Sequence, residues 1–202
     1  MKTTRRRGGT RGYTAVELMM SIAIFGIGLT GIAAMQKVVA VSNMHAKNLS
    51  IATHIAESWL DVLNADAAQW NSPSPTVATQ DRTTDTEWLK SVVTNPGSGG
   101  WVLPNPAYST HFQFGSYFDA LGNPQQLATG AAFCTNIRLS WLYQETQGNG
   151  LIRAEVRVYW LRDGQSSVTA NTNPCLETPD NVTAGASHYH FVQKVTALKE
   201  NT

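Results

Sequence analysis

The residue with the most evident chemistry is Glu17, a carboxylate at the head of a long uncharged run. The run extends from Leu18 to Gln36, nineteen residues without Asp, Glu, Lys or Arg. As a helix it would be about 28 Å long, close to the ~30 Å hydrocarbon core of a bilayer. An acid at the edge of such a segment is costly unless a partner charge or the interface compensates it. Glu17 is therefore either an acid that awaits a cation or a carboxylate that stabilises the helix N-terminus through the helix dipole.

A basic leader precedes this run, and no acid occurs before Glu17. Its cations are Lys2, Arg5, Arg6, Arg7 and Arg11. The positive-inside rule keeps such an end cytoplasmic, so we expect the chain after Gln36 on the other side of the membrane. A cleaved secretory signal is the alternative. Its apolar region would be shorter, about 7–15 residues, and would end at a small-residue cleavage site that this run lacks.

Residues 12–17, with the sequence Gly-Tyr-Thr-Ala-Val-Glu, stand between the leader and the apolar run. This arrangement resembles the class III signal of type IV pilins and type II secretion pseudopilins. The resemblance implies that a prepilin peptidase cuts between Gly12 and Tyr13 and methylates the new terminus at Tyr13. It also implies that Glu17 pairs with the terminal amine of a neighbouring subunit during assembly. Two opposite charges that are each costly in lipid would then neutralise each other.

Some positions depart from the commonest pilin pattern. Tyr13 stands where Phe is usual, Ala15 where Leu is usual, and Ala34 where major pilins carry a proline. The stretch from Ile27 to Gln36 is most similar to minor pilins of the PilV type. The resemblance thus implies a minor pilin that primes or tips a type IV pilus. A minor pseudopilin of type II secretion and a DNA-uptake pseudopilin share the same N-terminal chemistry and stay open as alternatives.

The resemblance also implies partners and a location. The partners are the prepilin peptidase, other major and minor pilins, and an inner-membrane assembly platform. The subunit would first span the inner membrane once with its head in the periplasm, and would then enter the fibre at the cell surface. A signal-anchored exported domain that binds a ligand or acts as an enzyme is the alternative from another functional class.

Composition limits the other classes of function. Without the first 12 of its 202 residues the chain keeps 10 basic residues and 14 acidic ones, a net charge of −4. This balance disfavours a nucleic-acid partner that is bound through a bulk positive field. The sequence contains no G-x-S-x-G, P-loop, G-x-G-x-x-G or H-E-x-x-H motif, so we predict no enzymatic activity and no cofactor.

The apolar pattern predicts that the helix continues beyond the membrane segment. We expect a leader at 1–12, a membrane and assembly helix at 13–36, and an amphipathic extension at 37–66 that ends near Asn64. The residues expected on the apolar face of the extension recur at spacings of three and four: Val38, Val41, Met44, Ile51, Ile55, Trp59, Val62 and Leu63. His45 and His54 are expected to be surface residues. The apolar face of such a helix must be buried against another part of the protein.

A loop region is expected at 67–110, where Ser, Thr, Pro, Asn and Gly are frequent. Thr84 and Glu87 fit a capping box before a short helix. Trp70, Trp88 and Trp101 are predicted to anchor this loop to the core, with a carbohydrate- or partner-binding surface as the alternative.

The remaining residues, 111–202, alternate between apolar and polar and predict an antiparallel sheet. Phe133 to Tyr143 and Ile152 to Trp160 form a predicted hairpin around the turn at 148–150. His111 to Phe118 and His188 to Ala197 add two strands, which gives about four. One apolar sheet face would pack on the long helix, so the predicted fold class is α+β and pilin-like.

Two cysteines, Cys134 and Cys175, lie on the expected export side, where an even pair favours a disulfide over two free thiols. Metal sites are not predicted. His188 and His190 share a predicted strand face without a nearby acid or cysteine, and the stretch 171–181 lacks an EF-hand calcium pattern. The sequence Asn181-Val182-Thr183 matches a glycosylation acceptor, whose use depends on the host.

Overall fold

The computed structural model describes residues 12–71, 86–90, 100–144, 150–169 and 173–199. The chain divides into two compact units, Met1–Lys47 and Asn48–Thr202. In its described part the first unit consists of the non-helical residues 12–14 and the helix that follows them. The second unit, called the head below, contains further helix and all the strands.

The long helix α1 spans Ala15–Asn71, 57 residues. It contains no proline, and the first proline of the chain, Pro73, follows its last residue closely. The predicted helix is confirmed, but it runs past the expected end near Asn64. The additional residues 65–71 include three alanines and a glutamine, which favour helix. The expected loop therefore begins later than the composition indicated.

The main sheet is antiparallel and has five strands in the order β4-β3-β5-β6-β7. Their bounds are Tyr117–Phe118 for β3, Pro124–Gln125 for β4, Phe133–Gln144 for β5, Gly150–Leu161 for β6 and Tyr189–Lys199 for β7. A separate two-stranded sheet joins β1, Tyr108–Ser109, to β2, Phe114–Gly115. The antiparallel sheet beside a long helix is as expected, whereas the prediction of about four strands was wrong.

The additional strand of the main sheet is β4, which lies between two of the predicted strands. The predicted strand from His111 to Phe118 is replaced by β2 and β3, of two residues each. Gln113 has a φ of 50°, which turns the backbone out of the extended conformation before β2 begins. The two-residue strand β4 then pairs with β3. Strands this short leave no alternating pattern in a sequence.

The predicted hairpin is confirmed as β5 and β6, which pair from Cys134 with Tyr159 to Gln144 with Gly150. The predicted turn falls mostly within residues 145–149, outside the described chain. A register shift between Trp141 and Tyr143 interrupts the alternation, and Tyr143 is 60 % exposed. The alternation therefore predicts the inward face of the hairpin correctly only as far as this irregularity.

The main core lies between α1 and one face of the sheet. The helix contributes Ala52, Ile55, Ala56, Trp59 and Leu63, and the central strands contribute Ile137, Ile152, Ala154, Val156 and Val158. Ile55, Trp59 and Leu63 were expected on this face. Val38, Val41 and Met44 were expected there too, but they precede the head and are exposed.

A second, smaller core covers the opposite face of the sheet. It gathers Ala131, Cys134, Tyr159, Cys175, Val182 and Tyr189. Val182 comes from the short helix α2, Pro179–Ala184, whose N-cap Thr178 accepts a hydrogen bond from the Asn181 N–H. One face of the sheet is thus covered by α1, and part of the opposite face is covered by the segment that leads into β7.

Asp66 fixes the chain after α1 to the helix. Its buried carboxylate accepts hydrogen bonds from the backbone N–H groups of Glu87, Trp88 and Leu89, at 2.7–2.9 Å. This is the geometry of a carboxylate at the start of a helical turn. Thr84 of the predicted capping box lies outside the described residues, and the Glu87 carboxylate accepts from the Ser109 hydroxyl.

Candidate functional site at the helix start

Glu17 forms a reciprocal cap with Thr14 at the start of α1. The Thr14 N–H and hydroxyl both donate to Oε2 of Glu17, each at 3.2 Å, and the Glu17 N–H donates to the Thr14 hydroxyl oxygen at 3.3 Å. This is a capping box, with Thr14 at the N-cap and Glu17 three residues later. The helix-stabilising role of Glu17 is therefore present in the single chain.

The cap leaves one carboxylate oxygen for another partner. All hydrogen bonds that the described residues make to the Glu17 side chain go to Oε2, and both cap residues are exposed. Oε1 is thus available for a cation from outside the chain. Capping and pairing with an external amine are compatible in this geometry.

The bond between Gly12 and Tyr13 lies in an exposed, non-helical segment directly before the cap. Tyr13 is 88 % exposed, and a Cβ added at Gly12 would meet no atom within 4 Å. A peptide bond in such a segment can enter the extended conformation that a peptidase needs. The leader residues 1–11 lie outside the described chain.

The part of α1 that follows carries apolar side chains in every direction. Between Leu18 and Leu49 the large apolar residues are 39–75 % exposed. An 18-residue window of this helix has a mean hydropathy of 2.0, and none of it is buried within the structure. By length and composition the helix can cross a membrane. A helix that is apolar all round needs lipid or other helices around it.

Sequence reasoning missed Thr14 as a partner of Glu17. The signal was present, because Thr-x-x-Glu before an apolar run is the capping-box pattern. The same pattern was noticed at Thr84 and Glu87. A role for Glu17 at the helix N-terminus was expected through the helix dipole, but Thr14 was not predicted as its hydrogen-bond partner.

The two cysteines form a disulfide between β5 and the cover of the second core. Cys134 and Cys175 are bonded with a Cα–Cα distance of 5.3 Å, and no free cysteine occurs. Both are buried, and the Cys175 N–H donates to the Asn173 side chain. The predicted pair is confirmed. It is a structural bond that holds the segment before α2 against the sheet.

Charged residues on the outer sheet face are engaged with one another. Arg138 and Arg153 both bind the buried Glu155 carboxylate, and the hydrogen bond from Arg138 holds the pKa of Glu155 below its usual range. Arg157 is also buried, and burial lowers the pKa of its guanidinium to about 10 because it penalises the charged form. It donates to Asn136 at 2.8 Å and to Thr183 at 2.9 Å. These groups form a structural polar layer.

Trp101 covers this polar layer. The guanidinium carbons of Arg138 and Arg157 lie 4.8 and 4.5 Å from the centre of its ring. Trp88 is fully buried and donates its indole N–H to the Pro106 carbonyl. Both tryptophans therefore act as the predicted anchors. The side chain of Trp70 lies outside the described part of the structure.

The remaining candidates do not assemble into a site. His188 precedes β7 in a short 3-10 helix and contacts the Ser166 carbonyl at 2.8 Å, whereas His190 lies against Trp160. No cluster of three metal-binding side chains occurs among the described residues. Asn181 donates to Glu177 at 3.2 Å, so this potential glycosylation side chain is engaged within the head. Residues 171 and 172 of the calcium candidate lie outside the described chain.

Comparisons of the chain with models of protein families, with curated proteins and with solved structures find no match. The functional assignment therefore depends on the chemistry of the helix start and on the contrast between the two parts of α1.

Proposed function

We propose that this chain is a minor pilin of a type IV pilus. In this proposal the prepilin peptidase cuts after Gly12 and methylates Tyr13. The subunit then stays in the inner membrane through α1 until an assembly platform inserts it, with other major and minor pilins, at the base of a fibre. Its head lies on the periplasmic side. It acts in priming or at the tip.

One observation carries the proposal. A single uninterrupted helix of 57 residues is apolar and exposed over its first part and packed into a disulfide-bonded head over its last part. A simple membrane anchor would need the first part alone, joined to the head by any linker. A fibre subunit needs one continuous helix, because the exposed part must pack against other helices while the rest of the helix stays packed in the folded head.

Glu17 supports the proposal through its position. In a fibre the anionic carboxylate would meet the terminal amine of a neighbouring Tyr13 at Oε1, while Oε2 keeps its cap. A hydrogen bond between charged groups contributes about 1.5–3 kcal/mol. The pairing also removes two charges that lipid penalises. Assembly would then be favoured over free diffusion in the membrane.

The test separates charge pairing from capping. Glu17→Gln keeps a side chain that can complete the capping box, whereas it removes the charge. Glu17→Ala removes both, and Thr14→Ala removes the cap while it keeps the charge. We expect both Glu17 variants to be cut and to remain in the membrane, and their incorporation into fibres to fall about 10- to 100-fold. Thr14→Ala should retain most of its incorporation.

Intact-mass spectrometry and immunoblots of sheared fibres give the two measurements. The mature chain should begin at Tyr13 with one added methyl group. An uncut leader in cells that contain the peptidase would refute the proposal. Normal incorporation of Glu17→Gln would limit Glu17 to capping and would reject its pairing role.

A further inference from the structure

The two edges of the main sheet differ in how they are protected. β4 ends one side with two residues, one of them Pro124, which has no N–H to offer. β7 ends the other side with 11 residues, from Tyr189 to Lys199, and pairs with β6 throughout without a register shift. Short strands, prolines, bulges and charged side chains, above all lysine, are the usual means of blocking an edge. β4 is short and contains a proline, whereas β7 is long and regular and has only its two lysines, Lys194 and Lys199, to discourage pairing.

The register shows which backbone groups of β7 face outward. Arg162 N–H donates to the His188 carbonyl at 2.9 Å, so this opposed pair is hydrogen-bonded and every second pair after it is too. Even-numbered residues of β7 therefore bond to β6, and odd-numbered residues direct their N–H and C=O groups to the free side. The Tyr189 carbonyl agrees with this pattern, because it accepts from the Arg162 side chain at 2.9 Å.

The outward residues are also accessible. Gln193, Val195 and Ala197 are all exposed, and Val195 is 49 % exposed. No strand of the described chain pairs with this side of β7. A row of unpaired, accessible backbone groups is a template for another strand.

Charge on β7 favours a partner strand with an acid. The strand contains Lys194 and Lys199 and no acidic residue. Lys194 contacts Glu57 of α1 at 3.3 Å, but 40 % of its side chain is exposed, so it can face a second carboxylate. Val192 and Leu198 lie on the same face and are buried, and an added strand would extend their apolar surface.

A second copy of the chain is the wrong occupant. Antiparallel pairing of β7 with β7 of a second copy would join two strands that each carry lysines and no acid. The other edge strand, β4, offers only two residues, one of them Pro124. An extended segment of another polypeptide has no such restriction.

We propose that β7 is a strand-addition site for an extended segment of another exported protein. The segment alternates apolar and polar residues and carries a carboxylate opposite Lys194. This inference rests on the proposed function, which identifies the assembly as a pilus fibre or its priming complex. In that assembly the added strand would connect the minor pilin to a neighbour that need not be a pilin. The edge itself is a property of the head.

Hydrogen exchange of the full-length chain in detergent tests whether the edge is open. We expect the amides of Gln193, Val195 and Ala197 to exchange about 100-fold faster than those of the intervening even-numbered residues, because only the latter bond to β6. Equal protection of both sets in the isolated chain would show that the edge is already covered, and would overturn the proposal.

Proline at Val195 tests whether the edge is used. Val195→Pro removes one outward N–H and no bond to β6, so the head should fold and keep its disulfide. Val195→Thr is the matched control, because it keeps the N–H and a β-branched side chain. We expect Val195→Pro to enter fibres or priming complexes about tenfold less than the control at equal thermal stability. Equal incorporation of the two variants would overturn the proposal.

A peptide probe tests the chemistry without the assembly machinery. The probe is an acetylated nonapeptide of alternating valine and threonine with one central glutamate, and its control has lysine there. We expect saturable binding to the full-length chain, about two- to fivefold tighter for glutamate, and lost in Val195→Pro. No saturable binding, or no preference between the two peptides, would count against it. If the wild-type chain never enters a fibre, the proposed function fails, whereas the exchange and peptide results still decide on the edge.

Discussion

The two parts of α1 are equally helical but meet different surroundings. Residues 15–47 expose their apolar side chains, and residues 48–71 bury Ala52, Ile55, Ala56, Trp59 and Leu63 against the sheet. In the packed part the apolar residues keep to one stripe, as a surface helix requires. In the exposed part they cover the whole circumference. One helix thus serves two environments, and its sequence changes pattern where the environment changes.

This contrast explains why the two parts should respond differently to mutation. A side chain contributes to the stability of the head only if unfolding moves it from protein to solvent. Side chains of the exposed part face surroundings outside the chain whether the head is folded or unfolded. Substitutions there should change assembly or membrane insertion, and substitutions in the packed part should change folding.

Trp59→Ala should give the largest effect. Trp59 is fully buried and lies edge-on to Trp88 and Phe114, with ring centres 5.2 and 5.1 Å away. Loss of the indole should destabilise the head by about 3–5 kcal/mol. Phe25→Ala in the exposed part is the matched change. It should leave the free energy of unfolding of the head unchanged within about 0.5 kcal/mol. Thermal unfolding of the full-length chain in detergent, followed by near-UV circular dichroism, measures both.

Trp59→Phe refines this prediction. The Trp59 indole N–H is buried and has no hydrogen-bond partner within the described structure, so its removal recovers a desolvation penalty of about 1–3 kcal/mol. The smaller ring loses some packing in exchange. We therefore expect Trp59→Phe to cost much less than Trp59→Ala. Equal losses for the two variants would show that the ring stacking contributes little.

Asp66→Ala should give an intermediate effect. It leaves three backbone N–H groups, those of residues 87–89, without their acceptor in a buried place. The expected loss is about 1–3 kcal/mol, together with earlier proteolysis of the chain after α1. Asp66→Asn keeps one acceptor oxygen and should lose less. If limited proteolysis finds Asp66→Ala as resistant as the wild type, Asp66 does not hold this segment.

The contrast between the two parts of α1 was only partly accessible from sequence. The spacing of Ile55, Trp59 and Leu63 predicted the packed face, because a helix repeats every 3.6 residues. The same spacing extended back to Val38, yet burial depends on where the sheet ends, which is a long-range property. Asp66 was missed for a similar reason. Its partners lie 21 to 23 residues away, and a backbone N–H carries no mark in a sequence.

The strands and the helix start show the same limit. Twelve-residue strands such as β5 and β6 repeat their pattern often enough to be predicted, whereas β3 and β4 exist only through pairing with neighbours. The Glu17 cap is local and was predictable from four residues. A partner amine belongs to another chain, so its role is a proposal that this sequence suggests through resemblance alone.

Glu57→Gln should have the smallest effect. It tests whether burial of a side chain, or its position along α1, decides how much it stabilises the head. Glu57 lies in the packed part of α1, but its carboxylate is 55 % exposed where it contacts Lys194 at 3.3 Å. Water and salt screen such a pair, so its loss should cost only ~0–0.5 kcal/mol, and this difference should vanish at high salt. Denaturant unfolding at low and high ionic strength measures it. A loss above about 1 kcal/mol would mean that position along α1, rather than burial of the side chain, decides which residues stabilise the head.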